Sequence, residues 1–105
     1  MNSKLAIGKM AARIARKFDP EQIVLFGSHA RGTAGPDSDV DLLVVMPVNG
    51  SKRQTQVEIR CALRDIRLPK DIVVATPAEV RQQRKLAGTL IRPAMEEGRV
   101  LYAKR

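Results

Sequence analysis

Two short constellations carry residue types able to do chemistry: Gly27-Ser28, and Asp39-Val40-Asp41 after an interval of ten residues. The first ends one apolar run and the second opens another. Side chains two positions apart on a strand project from the same face, so Asp39 and Asp41 stand side by side. Two adjacent like charges need a cation. Hard carboxylate oxygens suit Mg²⁺, which keeps several waters and completes its octahedron with substrate phosphates, so a metal-bound triphosphate is the natural occupant. Gly27, lacking a Cβ, lets phosphates approach the backbone, while Ser28 and the amides of the following turn can donate from a helix start. Ser28 equally suits the cap of a short helix through Ala30 and Arg31. Arg31 falls where that turn aims it toward the phosphates.

Asp71 opens a further apolar run at a position equivalent to the opening of the second. A neighbouring strand brings it beside the pair. Three carboxylates can hold two metals roughly 3.5–4 Å apart, one activating the attacking oxygen and one steadying the leaving group. Asp71 is then a metal ligand or the base for an acceptor hydroxyl. The plainer alternatives are solvated acids guarding a strand start, and an Asp71 that pairs with Lys70 or Arg67. His29 has no acid or cysteine placed to partner it and reads as a solvated side chain. Cys61, among Ile59, Ala62 and Leu63, reads as packing rather than a reactive thiol.

These residues need strands and turns to position them, and the chain supplies an alternation of helix and strand. Ile7, Met10, Ala11, Ile14, Ala15 and Phe18 recur at helical spacing, which predicts an amphipathic helix over about 3–18, ended by Asp19-Pro20. Ile23–Phe26 is a continuous apolar run rather than an alternating one, as in a strand covered on both faces, and Val40–Met46, broken only by Asp41, has the β-branched content of a central strand. Ser51-x-x-Gln54 has the form of a capping box before a helix whose stripe is Ile59, Leu63 and Ile66, stopping near Pro69. Asp71–Ala75 is a third strand, and Thr76-Pro77-Ala78-Glu79 a second capping box. Glu96-Glu97-Gly98 reads as a helix exit before a last strand at Val100–Tyr102.

With 105 residues the chain has room for one core, which predicts a single domain spanning 1–105. The apolar runs fall well short of the roughly 20 residues that cross a bilayer. No signal-peptide pattern and a single cysteine point to the cytoplasm. The formal charge of +8 favours polyanions, but only Phe18, Phe26 and Tyr102 are available for stacking, which argues against a nucleic-acid reader.

The stretch Leu25-Phe26-Gly27-Ser28-His29-Ala30-Arg31-Gly32, followed by Asp37-Ser38-Asp39-Val40-Asp41-Leu42-Leu43-Val44, resembles the minimal nucleotidyltransferase family of the DNA polymerase beta superfamily. Asp71 and the closing Glu97-Gly98-Arg99-Val100-Leu101-Tyr102 extend the likeness. The resemblance implies an α/β nucleotidyltransferase fold, a small mixed β-sheet flanked by α-helices. It implies that Gly27 and Ser28 bind the triphosphate, that Asp39 and Asp41 bind Mg²⁺, and that Asp71 is the third acid. His29 departs from the arginine common there. Family members this short commonly serve as antitoxins that adenylylate a tyrosine of a HEPN-type ribonuclease toxin. The expectation is therefore transfer of AMP from Mg-ATP to a hydroxyl of such a protein partner. The alternatives are a small-molecule acceptor such as an aminoglycoside, which demands a second domain or a dimer, and a vestigial site that neutralises its partner by binding alone. A basic nucleic-acid binder is a third.

Overall fold

The computed structural model describes residues 2–104. Its elements alternate along the chain: α1 (Ser3–Phe18), β1 (Gln22–Phe26), α2 (Ser28–Arg31), β2 (Val40–Val45), α3 (Lys52–Ala62), β3 (Lys70–Ala75), α4 (Pro77–Gln83), α5 (Ile91–Glu97) and β4 (Arg99–Ala103). The expected first helix matches α1, and Asp19 closes it in a left-handed conformation with its amide on the Ala15 carbonyl. The strands form one mixed sheet in the order β3-β2-β1-β4. β1 pairs antiparallel with both β2 and β4, and β2 pairs parallel with β3.

The continuous apolar run of β1 predicts cover on both faces, and two buried clusters bear this out for β1 and extend it to its neighbours. Alternate residues Ile23, Leu25, Leu42, Val44, Ile72 and Val74 pack beneath α1 and α3. The intervening Val24, Leu43, Val45 and Ala75 pack beneath α4 and α5 through Val80, Ile91 and Ala94. Helices thus cover the sheet from both sides, leaving its strand ends to carry polar groups.

The third helix is shorter than its apolar stripe predicts. α3 stops at Ala62, yet Leu63 and Ile66 remain buried, because tight turns carry the chain on, with the Ile66 amide on the Leu63 carbonyl. Pro69 lies just beyond and disfavours continued helix in the residue before it. Ser51 caps α3 through the Gln54 amide, and the Thr76–Glu79 box forms with both reciprocal bonds. The last helical region divides in two. The Thr89 hydroxyl bonds the Gln83 and Leu86 carbonyls and accepts from the Arg92 amide, turning the chain between α4 and α5.

Gly98 joins α5 to β4 where there is no room for a side chain. A Cβ there would lie 2.2 Å from the Ala94 carbonyl oxygen, 2.5 Å from Val24 Cγ1 and 2.9 Å from the Leu25 carbonyl oxygen. Two of these neighbours are backbone and cannot swing aside. Gly98→Ala is therefore expected to destabilise the protein by about 1–3 kcal/mol, read as a lower denaturant midpoint at unchanged slope.

Candidate active site

The hairpin of β1 and β2 sets Phe26 opposite Asp41, so the chain leaving β1 at Gly27 folds directly over the first carboxylate of β2. A Cβ on Gly27 would lie 2.2 Å from Asp41 Oδ2, and its φ of 74° is a conformation that L side chains rarely adopt. Only glycine fits both demands. Gly27, rather than Ser28, occupies the cap position of α2; its carbonyl accepts from the Ala30 and Arg31 amides, and Ser28 becomes the first helical residue. The Ser28 and His29 amides thus precede the first bonds within the helix.

On the other flank of Asp41, the parallel pairing of β2 and β3 puts Asp71 directly in register with it. Neighbouring strands lie roughly 4.8 Å apart, so the two side chains share a face at adjacent positions. Asp39 lies two residues before Asp41, just outside β2, and its charge acts on Asp41. The three predicted acids therefore lie at one end of the sheet, with Asp41 in the middle.

The electrostatics record this crowding. Asp41 is half-buried, and its carboxyl is held above the ordinary aspartate range, first by burial and then by the like charges of Asp71 and Asp39; His29 and Arg31 act in the opposite direction. A raised folded-state value means that the native protein holds this proton more tightly than the unfolded chain does. Ionised Asp41 therefore lowers stability, and the loss develops as pH rises from the ordinary 3.8 through the raised value. Asp41→Asn keeps the shape without the charge. Without nucleotide, it is expected to melt at a higher temperature than the native protein at neutral pH. The two melting curves should converge below the ordinary aspartate range.

Asp71 has a partner that sequence reasoning did not find. Its Oδ1 accepts from Arg60 Nη2 of α3 at 3.1 Å, neither Lys70 nor Arg67 being the partner. The signal was hard to see because Arg60 and Asp71 approach only after the chain turns back at Pro69. His29 also departs from expectation. It is half-buried, and its Nε2–H donates to the Ser38 carbonyl at 3.2 Å, since a carbonyl can only accept. The residue bridges α2 to the turn immediately before Asp39. Arg31 lies exposed on the same short helix and contributes to the field at Asp41. Cys61 is exposed rather than packed, because α3 turns Ile59 and Leu63 inward and leaves position 61 facing outward.

The donor set fits a magnesium ion. Among the described residues no three His, Cys, Asp or Glu side chains are gathered closely enough to hold a metal by themselves. Mg²⁺, however, is ordinarily bound by one or two carboxylates with the remaining positions taken by water and phosphate oxygens. The like-charge crowding at Asp41 is what a divalent cation relieves. Among the described residues, no helix is long and apolar enough to cross a membrane.

Comparison with known proteins identifies the family. A family model described as a nucleotidyltransferase domain matches residues 7–101. A Methanocaldococcus jannaschii protein named "Putative protein adenylyltransferase MJ0604" is 31% identical over 104 residues, covering 97% of this chain and 100% of its own. Among solved structures, a chain of a toxin-antitoxin complex with AMP-PNP superposes at a TM-score of 0.58 with 19% identity, covering 93% of this chain and 74% of its own. A chain from a complex of tri-AMPylated Shewanella oneidensis HEPN toxin with MNT antitoxin gives 0.56 with 17% identity, covering 96% and 72%. At such identities the structural likeness establishes the fold, while the family model spans nearly the whole chain. The chain belongs to the nucleotidyltransferase domain family and is a nucleotidyltransferase, with a nucleotide as its substrate.

Proposed function

We propose that the protein transfers AMP from Mg-ATP to a tyrosine hydroxyl of a partner HEPN-type ribonuclease toxin, and so acts as an antitoxin. The observation that carries the reading is the meeting of Gly27, Asp41 and Asp71 at one end of the sheet. The name of the M. jannaschii relative supports a protein acceptor, and the S. oneidensis complex supports a HEPN toxin as that acceptor.

In this reading Asp39 and Asp41 hold the magnesium, with Asp71 as third acid. When bound, the metal would offset phosphate charge and steady the departing pyrophosphate. Gly27 admits the triphosphate to the backbone, and Ser28 and Arg31 donate to its oxygens. The tyrosine oxygen attacks the α-phosphorus, a P–O bond forms to tyrosine, and the bond to pyrophosphate breaks. The phenolic proton passes to Asp71, which Arg60 holds in place.

The test is to incubate the protein with labelled ATP, magnesium and the product of an adjacent gene encoding a short helical protein. Mass spectrometry then searches the partner for tyrosines gaining AMP. Labelled tyrosine together with loss of ribonuclease activity supports the proposal. Neutralisation without label, retained in the Asp39→Asn/Asp41→Asn variant, overturns it in favour of occlusion.

A further inference from the structure

A cleft opens on the α1 side of the sheet. It lies between the first turns of α1, the loop following α2, and β4, with a volume of about 680 Å³, and Lys4, Gly8, Leu25, His29, Arg99 and Leu101 line it. Leu25 and Leu101 belong to the core beneath α1. Asp41 alternates with Leu43 and Val45, which face α4 and α5. Leu25 and Asp41 therefore face opposite sides of the sheet, while His29 lines the cleft and also acts on Asp41.

Gly8 is the residue that most needs a reason. A glycine inside a helix is roughly 0.5–1 kcal/mol less favourable than alanine. Such a cost is ordinarily explained by a neighbour that leaves no room for a methyl group. Here a Cβ would meet nothing within 4 Å. Packing within the chain gives no account of this glycine, which leaves the cleft wall without a side chain at that point. The chemistry of the walls is divided. Leu25 and Leu101 form an apolar floor, while Lys4 and Arg99 are exposed at the rim and make no ion pair among the described residues.

We propose that this cleft binds a small amphipathic anion, a phosphate or carboxylate carried on an apolar ring. The floor takes the ring, and Lys4 and Arg99 take the charge. The volume is within the range of roughly 300–1,000 Å³ that small-molecule sites occupy. The site does not depend on the proposed transfer to a toxin.

The test is a titration of the ¹⁵N-labelled protein followed by amide chemical shifts. The probes are phenyl phosphate and benzoate, with inorganic phosphate and benzyl alcohol supplying the head group or the ring alone. At least one of the first two should give saturable one-to-one shifts at Lys4, Gly8 and Gly32. Each isolated half should bind about tenfold more weakly or worse. The tighter of the two probes identifies the head group. Gly8→Leu, which fills the cleft from a helical position, should weaken that binding by about tenfold or more without lowering the melting temperature. Lys4→Ala/Arg99→Ala, two exposed changes, should do the same should the leucine disturb the fold. Shifts confined to Gly27 and Ser28, shifts that never saturate, or equal binding by native and both variants would overturn the proposal.

Discussion

Changing Asp39 and Asp41 together to asparagine is expected to lower nucleotidyl transfer by about 10³-fold or more while leaving the fold intact. Removing one preorganised electrostatic contact commonly costs about 10²–10³ in rate, and here both predicted ligands of the same cation go at once. The two losses are not additive, because either one alone disables a shared ion. What makes the variant informative is the field at Asp41. Burial, Asp71 and Asp39 all oppose its ionisation, so neutralising it removes a repulsion from the protein without ligand. The double variant should therefore melt no earlier than the native protein while transferring almost nothing. Rates of label transfer set beside thermal unfolding of the same preparations check both halves. Activity within about tenfold of native would remove these acids from the chemistry.

The second large effect is expected from Gly27→Ala, which strikes stability and chemistry at one position. The backbone there, with φ 74° and ψ −156°, is of a kind reserved for glycine, and imposing it on alanine costs about 1–3 kcal/mol. The new methyl would also stand 2.2 Å from Asp41 Oδ2, so that carboxylate must rotate away from its neighbours. Transfer should fall further than the lost stability explains. A double-mutant cycle separates the two causes. Adding Asp41→Ala removes the clash and should return part of the lost stability, with no return of activity. Strict additivity of the two stability changes, measured by denaturant unfolding, would show that the methyl and the carboxylate do not meet.

Much of the site could be read from the chain because its residues mark the ends of apolar runs. Gly27 follows β1, Asp39 immediately precedes β2, and Asp41 and Asp71 are the second residues of β2 and β3, so strand boundaries and site residues are nearly the same signal. The layering followed too, since uninterrupted apolar runs need cover on both faces. Sheet order and direction did not follow. That β1 turns back on β2 while β3 runs alongside it is decided by long-range pairing, and only this pairing sets Asp41 against Gly27 and Asp71.

Helix ends were harder to read. The Ile59-Leu63-Ile66 stripe is buried as expected, but burial constrains the facing of a residue and not its backbone, so turns satisfy the same pattern after Ala62. Arg60 and His29 escaped for a related reason. Each acts on a residue remote in sequence, Asp71 or Ser38, and no local spacing announces such a bond. Cys61 shows the converse, a small apolar residue beside core positions that nonetheless faces outward.

The central claim, a nucleotide taken up on magnesium between the Gly27 turn and the acids, is tested most directly by calorimetric titration of a non-hydrolysable ATP analogue into the native protein. The titration is run with magnesium and with a chelator, and both runs are repeated on Asp39→Asn/Asp41→Asn. One-to-one uptake that needs magnesium and disappears in the variant is the predicted result. Uptake of equal strength without the metal, or undiminished in the variant, would contradict the account.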